Sequence, residues 1–359
     1  MKSRAEIRFW LIGLAVFIGL IYLLRPVLLP FVAGMAAAYF LDPIVDRLER
    51  MKMGRSLATA IVTIGFFLLF GGAIGLMIPL LETQIFEFAQ NVPDYAEGLQ
   101  NRLRPLVDTL LSRLNPDDVV KLKATAESYA GTMVSWGVRA FGNLLTGGMA
   151  VLSILSLMLI TPVVTFYLLR DWDKMVDRVD SWLPLEHAAT IRIQMTEIDS
   201  TLAGFVRGQA LVCAVLAVFY GLGFSMAGLD LGLVVGVVTG IATIIPYLGG
   251  IMGMVLSIAL ALAQFSDWMP VVLVAGVSLV GQVLEGYVLT PNLVGDRIKL
   301  HPVWIPFALL AGGALFGFLG VLLAVPVAAV IGVLVRFSLA RYLASPMYKG
   351  STPPPPTML

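Results

Sequence analysis

Long stretches with almost no charge recur along the 359-residue chain, at 9–24, 26–41, 57–81, 144–169 and 202–227. A helix rises about 1.5 Å per residue, so about 20 residues cross the roughly 30 Å of bilayer hydrocarbon. Only 13% of the residues are charged and 58% are hydrophobic, whereas soluble chains carry about 25% charge. A water-soluble globule is excluded, and the expected fold class is an all-α, polytopic integral membrane protein. The formal net charge of +1 supplies no basic field for nucleic acid. The lone cysteine, Cys213, and the two distant histidines, His187 and His301, exclude a disulfide framework and a Cys/His zinc site. No metal or organic cofactor is therefore expected, and proton or sodium coupling is left open. The phosphate-binding Gly-Lys-Ser/Thr loop, the His-Glu-x-x-His helix and the Gly-x-Ser-x-Gly elbow are all absent from the sequence, so no enzyme is expected.

The distribution of charge orders these stretches across the membrane. Lys2, Arg4 and Arg8 precede the first apolar run, which ends in Arg25–Pro26 and not in a small-residue cleavage site; it reads as a retained helix and not as a secretory signal. The second run ends at Asp42–Pro43, and the loop after it holds Arg47, Arg50, Lys52 and Arg55, a density of basic residues that marks the cytoplasmic side. Between residues 82 and 139 charges return. Leu99, Leu103, Leu106, Leu110 and Leu114 recur there every three or four residues, as in amphipathic helices outside the membrane. That stripe suits a helical hairpin burying its own core, or a surface for a partner. The basic residues Arg170, Lys174, Arg178 and Arg192 return the chain to the cytoplasm, and the basic tail (Arg336, Arg341, Lys349) places both termini there. The chain thus divides into N-terminal membrane helices (1–81), an extracytoplasmic helical insert (82–140), a membrane helix with a cytoplasmic amphipathic connector (141–201), a membrane transport core (202–345) and a disordered proline-rich tail (346–359).

Within the core, two apolar pairs are each interrupted: 231–245 and 248–265 around Pro246-Tyr-Leu-Gly-Gly250, and 300–316 and 319–337 around Gly317-Phe-Leu-Gly320. Each half is short for a crossing. Paired, Gly/Pro-interrupted segments of this kind point to the binding site of a secondary transporter, because irregular backbone survives at membrane depth only where it lines a cavity or is buried in protein. The alternative is a pair of kinked continuous spans. Parity makes the two pairs enter from opposite faces if they are re-entrant. Between them, Glu285 is the acidic residue well inside a late apolar segment, with Gln282 one turn away. An intramembrane carboxylate is a candidate proton or cation site; a headgroup-facing residue paired with Arg297 is the alternative. The expected substrate or ion pathway comprises Thr243, Pro246, Tyr247, Gly249, Gln282, Glu285, Gly317 and Gly320. Arg170, Asp171, Arg207, Gln209, Asp296 and Arg297 read as a cytoplasmic gate, or as interfacial anchors and ion pairs.

Phe-Tyr-Leu-Leu-Arg-Asp (166–171), Arg-Gly-Gln (207–209), Ile-Pro-Tyr-Leu-Gly (245–249), Thr-Pro-Asn-Leu-Val-Gly-Asp-Arg (290–297), Leu-His-Pro (300–302), Gly-Phe-Leu-Gly (317–320) and Val-Pro (325–326) stand in this order along the chain. Together they resemble the autoinducer-2 exporter family, the PerM-like permeases. The resemblance implies a bacterial inner-membrane transporter with about eight membrane helical elements, a periplasmic helical insert and a homo-oligomeric, pentameric assembly. It also implies two activities, export of a small polar solute such as the quorum-sensing signal, or sodium (lithium)/proton antiport. Besides the lipid bilayer, the partners expected are a small-molecule or cation substrate and further copies of the chain. A third reading, from another class, is a membrane scaffold that docks through the insert and moves nothing.

Overall fold

The computed structural model describes residues 27–73, 148–295 and 300–349, together with scattered positions within 12–24 and 75–90. Side chains are described from residue 155 in the second stretch. Half of the first apolar run lies outside the described residues. The insert at 82–140 does so almost entirely, as do Asp296, Arg297 and most of the tail.

Every regular element among the described residues is helical. We number them α1 (Leu28–Arg50), α2 (Arg55–Ala73), α3 (Gly148–Asp180), α4 (Ala188–Met226), α5 (Gly232–Ala242), α6 (Leu248–Gln264), α7 (Trp268–Val283), α8 (Trp304–Phe316) and α9 (Phe318–Ala344). The helical course of α7 continues to Gly295, with the wider π winding over Leu284–Leu289 and Pro291–Gly295. Six helices are long and apolar enough to cross a bilayer: α1, α2, α3, α4, α7 with its extension, and α9. The chain is an all-α polytopic membrane protein, as its apolar runs require.

Two boundaries differ from the sequence expectation. The second apolar run does not stop at Asp42–Pro43 but continues as helix to Arg50. Proline in a helix interior removes the amide that would bond the carbonyl four residues back. Here that orphan carbonyl belongs to Tyr39, and the Arg207 Nε of α4 donates to it at 2.9 Å. A partner from another helix has replaced the missing backbone bond. The stretch 170–200 is likewise not a separate interfacial helix: α3 runs past Arg170 to Asp180, a turn follows, and α4 begins at Ala188. At 39 residues, α4 is about 58 Å long, so it outreaches the hydrocarbon and carries the polar connector sequence at its start.

Two apolar clusters hold these helices. Ala38, Leu41 and Val45, on one face of α1, pack with Ala58 and Val62 of α2 and Leu169 of α3. The α1–α3 contact is fastened by threonines, with Thr165 Oγ1 donating to the Gly34 carbonyl at 3.2 Å and to the Thr161 carbonyl at 2.8 Å. The larger cluster centres on α4, where Val212, Leu216, Tyr220 and Phe224 meet Val235 of α5, Val274 of α7 and Ala329 of α9.

Close packing in that second cluster depends on glycine. Gly232, Gly236 and Gly240 fall every fourth residue on α5, and a Cβ on any of them would strike backbone of α4 between Ala217 and Ser225. This is the small-residue contact by which membrane helices approach without a hydrophobic driving force. Gly249 and Gly253 of α6 repeat the device against Thr243 and Thr239 of the preceding turn and helix. Because 249 meets 243 and 253 meets 239, α5 and α6 run antiparallel as a helical hairpin. Gly312 of α8 meets Gly320 of α9, and Gly313 meets Val321, so the second interrupted pair is a hairpin too. Both are folded back on themselves and are not single kinked helices.

Candidate functional site

The break between α5 and α6 spans Thr243–Tyr247, and Tyr247 has a φ of +68°, a left-handed conformation that costs a bulky residue about a kilocalorie or more. Gly317, with φ +63°, makes the corresponding turn between α8 and α9 at no such cost. Around the first break the packed interior becomes polar. Thr243 is fully buried, and its hydroxyl donates to the Gly240 carbonyl while lying 3.6 Å from Cys213 Sγ. Its carbonyl accepts from Gln209 Nε2 of α4 at 2.5 Å. The amide side chain thereby serves a backbone group that the helix end leaves without an intrahelical partner.

On the other side of α6, Gly250 is buried against Glu285, whose Oε2 lies 3.2 Å from the place a Cβ would occupy, with Gln282 Cγ at 3.7 Å. The glycine makes room for the carboxylate. Gln282 Nε2 points to Met254 Sδ at 2.9 Å. Deeper along the same pair of helices, Ser257 and Ser278 share a 3.0 Å hydrogen bond. Glu285 itself is half-buried and sits in the first turn of the π-wound stretch, a winding that recurs at functional sites. Among the described residues, none donates a hydrogen bond or an ion pair to its carboxylate.

The structure therefore brings Thr243, Gly249, Gln282 and Glu285 together around the start of α6, with Gln209 and Cys213 of α4 beside them. Pro246 is half-buried in the break, and Tyr247 is exposed. Gly317 and Gly320 belong to the other hairpin, where Gly320 packs on the Gly312 carbonyl and Phe316; no described contact joins them to the cluster.

The residues grouped as a gate part company. Arg170 and Asp171 pair with each other through Nε at 2.9 Å and Nη2 at 2.5 Å, Lys174 adds a 3.0 Å contact to the same carboxylate, and the guanidinium stacks over Tyr167 and Phe166. Gln209 is part of the interior cluster. Arg207 instead faces a cavity of about 330 Å³ bounded by α1, α2, α3 and α4. Tyr39, Asp42, Arg55, Trp172 and Asp199 also line it. Arg207 Nη2 is 3.6 Å from Asp42 Oδ2, Tyr39 Oη donates to Asp199 at 3.0 Å, and Arg55 bridges to Asp173 and to the Leu169 carbonyl. Sequence reasoning missed this cavity. Its one legible signal is Pro43, which exposes the Tyr39 carbonyl that Arg207 binds.

Three successive residues of α4 thus touch three separate elements. Arg207 reaches α1, Gly208 lies where any Cβ would strike the Leu293 carbonyl of the π-wound stretch, and Gln209 holds the α5–α6 break. The Arg-Gly-Gln run is where the polar cavity and the interior cluster meet on one helix.

The AI-2E family transporters match this chain over residues 11–340. The chain belongs to the AI-2E transporter family. Among its relatives are YrrI of Bacillus subtilis 168, 28% identical over 87% of this chain and 86% of the relative, and PerM of Escherichia coli K12, 30% identical over 87% and 88%. Both carry provisional descriptions, as a transport protein and a permease. A more distant match, 22% identical over 55% of this chain and 58% of the relative, is a sodium-lithium/proton antiporter of Halobacillus andaensis. As an AI-2E family protein, the chain is a transporter or permease by family.

Proposed function

We propose that this protein is a secondary transporter of the bacterial inner membrane that exports a small polar solute, with the quorum-sensing signal as one such solute, by alternating access. The site is the cluster of Gln209, Thr243, Gln282 and Glu285 at the α5–α6 break, reached from the cytoplasm through the Arg207 cavity. Pro246, Tyr247 and Gly249 shape the break, and the α8–α9 tip at Gly317–Gly320 is the second moving part. Both termini are cytoplasmic, the two hairpins enter from opposite faces, and the working unit is a homo-oligomer of five copies. The observation that carries the reading is Glu285, a carboxylate among apolar helices that has a glycine cut away beside it and no described partner. Such a group at membrane depth is costly unless it serves a pathway.

The same carboxylate supports a second reading, sodium (lithium)/proton antiport, in which Glu285 exchanges the two cations; the Halobacillus relative carries that description. Liposomes holding the purified protein separate the two. Under an imposed pH or sodium gradient, flux of labelled signal without cation-dependent proton movement supports export. Cation-coupled proton movement that is lost in Glu285→Gln supports antiport. No flux of either kind, with a phenotype that disappears when the insert 82–140 is deleted, overturns both in favour of the scaffold.

A further inference from the structure

Tyr220 of α4 is one of the largest fully buried side chains, 1% exposed, and its ring packs against Phe219 and Phe224 at centroid distances of 5.6 and 5.5 Å. Its hydroxyl has no hydrogen-bond partner among the described residues. Buried tyrosines ordinarily pair that group, because a hydroxyl taken out of water unpaired costs free energy. A phenylalanine would make the same ring contacts without that cost. The facing helix even gives up a side chain to seat the phenol: a Cβ on Gly281 of α7 would collide with the ring edge and lie 2.5 Å from Tyr220 Oη.

The register of α4 on α7 puts this hydroxyl beside the polar cluster. Gly208 stands against Leu293, Tyr220 against Gly281 and Gly223 against Val277, so the two helices run antiparallel. Counted along that register, Glu285 falls level with Leu216, about one helical turn from the level of Tyr220 and within a turn of the level of Cys213. Gln209, Cys213 and Tyr220 are spaced i, i+4 and i+11, which keeps all three on one face of α4. Gly281 and Glu285, four residues apart, likewise share a side of α7 and its extension. Among the described residues, Glu285 is the charged group that acts on the Tyr220 phenol, and it acts on the Cys213 thiol as well.

The two groups ask different things of an occupant. An ionised carboxylate only accepts hydrogen bonds, whereas the phenol has a proton to donate. A small molecule with a hydroxyl and a second oxygen answers both. A bare cation answers the carboxylate and leaves the phenol proton unmatched. On the reading of the Glu285 cluster as the transport site, we propose that Tyr220 is a specificity-determining residue of that site, its hydroxyl donating to an oxygen of a solute whose own hydroxyl is held by Glu285. The occupant is thereby a small hydroxylated molecule with a further acceptor oxygen. A buried donor that only the right occupant can pair is what lets a site reject one lacking the matching group.

Tyr220→Phe keeps the ring and removes the donor. In liposomes holding the full chain, initial rates of flux at increasing concentrations of the labelled quorum-sensing signal give KM and kcat. The variant is expected to raise KM about five-fold, the worth of one net hydrogen bond, with kcat unchanged, as for an interaction made equally throughout the transport step. In detergent without the signal, its thermal midpoint is expected to equal or exceed that of wild type, since the hydroxyl removed has no partner in the empty protein. A KM identical to wild type overturns the proposal alone and leaves the transport reading standing. A lowered midpoint overturns it too, because the hydroxyl would then have a structural partner. So does a variant that shifts the KM for sodium in sodium-driven proton movement and leaves signal flux unmoved, or a wild type that moves sodium and not the signal, because the occupant would be a cation. A wild type that moves neither removes the transport reading itself, and this proposal with it.

Discussion

At the scale of single residues, adjacent glycines in the α5–α6 turn have unequal roles. A methyl group on Gly249 would collide with the backbone of Ala242 and Thr243, whereas on Gly250 it would crowd the end of the Glu285 side chain at 3.2 Å and make ordinary contact with Gln282 Cγ at 3.7 Å. Gly249→Ala is therefore expected to cost about 1–3 kcal/mol, the range for overpacking, read as a lower midpoint in thermal unfolding in detergent. Gly250→Ala is expected to leave that midpoint nearly unchanged and to alter flux, because the atom displaced is the carboxylate; equal loss of stability in the two variants would refute this distinction. Gln282 and Glu285 were legible as intramembrane polar residues in an apolar segment. The glycine that faces them was legible only as a break in a pair, because which side of a turn meets a distant helix depends on packing and not on local spacing.

At the scale of elements, the clearest case is α1, which runs through Pro43 because a side chain of α4 caps the carbonyl that proline frees. Pro43→Ala would restore the backbone donor to Tyr39 and compete with Arg207. We expect a double-mutant cycle between Pro43→Ala and Arg207→Met to show coupling: removing Arg207 should cost about 1 kcal/mol in the parent and less once the alanine amide is present. Additive effects would show that Arg207 does not replace that bond. A second element-level prediction concerns the glycines of α5. Gly236→Leu would push against the Gly221 and Tyr220 backbone of α4 and is expected to lower expression and thermal stability sharply, while the same change at Gly276, which has open space around it, is expected to be tolerated. The four-residue glycine spacing of α5 is itself a helix-contact signal in the sequence, because small residues let two helix backbones approach closely.

At the scale of the whole molecule, α4 joins the α1–α3 cluster to the α5–α9 cluster, and the Arg207–Gln209 run is the joint. The single thiol, Cys213, sits beside Thr243 on that helix and reports on the joint without further engineering. Arg207→Met is expected to raise the alkylation rate of Cys213 about five-fold, as loss of about 1 kcal/mol of hydrogen bonding would allow; Arg192→Gln, at the distant start of α4, which breaks a pair with Asp180 of α3, is expected to leave the rate unchanged. Identical rates in all three proteins would refute the link. The sequence by itself determined that the chain crosses a membrane, that its fold is helical, that two apolar pairs are interrupted, and which family it resembles, because these follow from run length, charge density and local motifs. Tertiary structure decided that the pairs close as hairpins, that Gly250 faces Glu285, that Arg207 serves Tyr39, and that a polar cavity forms among four helices. Each of these joins residues far apart in the chain, and the contacts depend on the depth and angle at which helices pack, which no local pattern encodes.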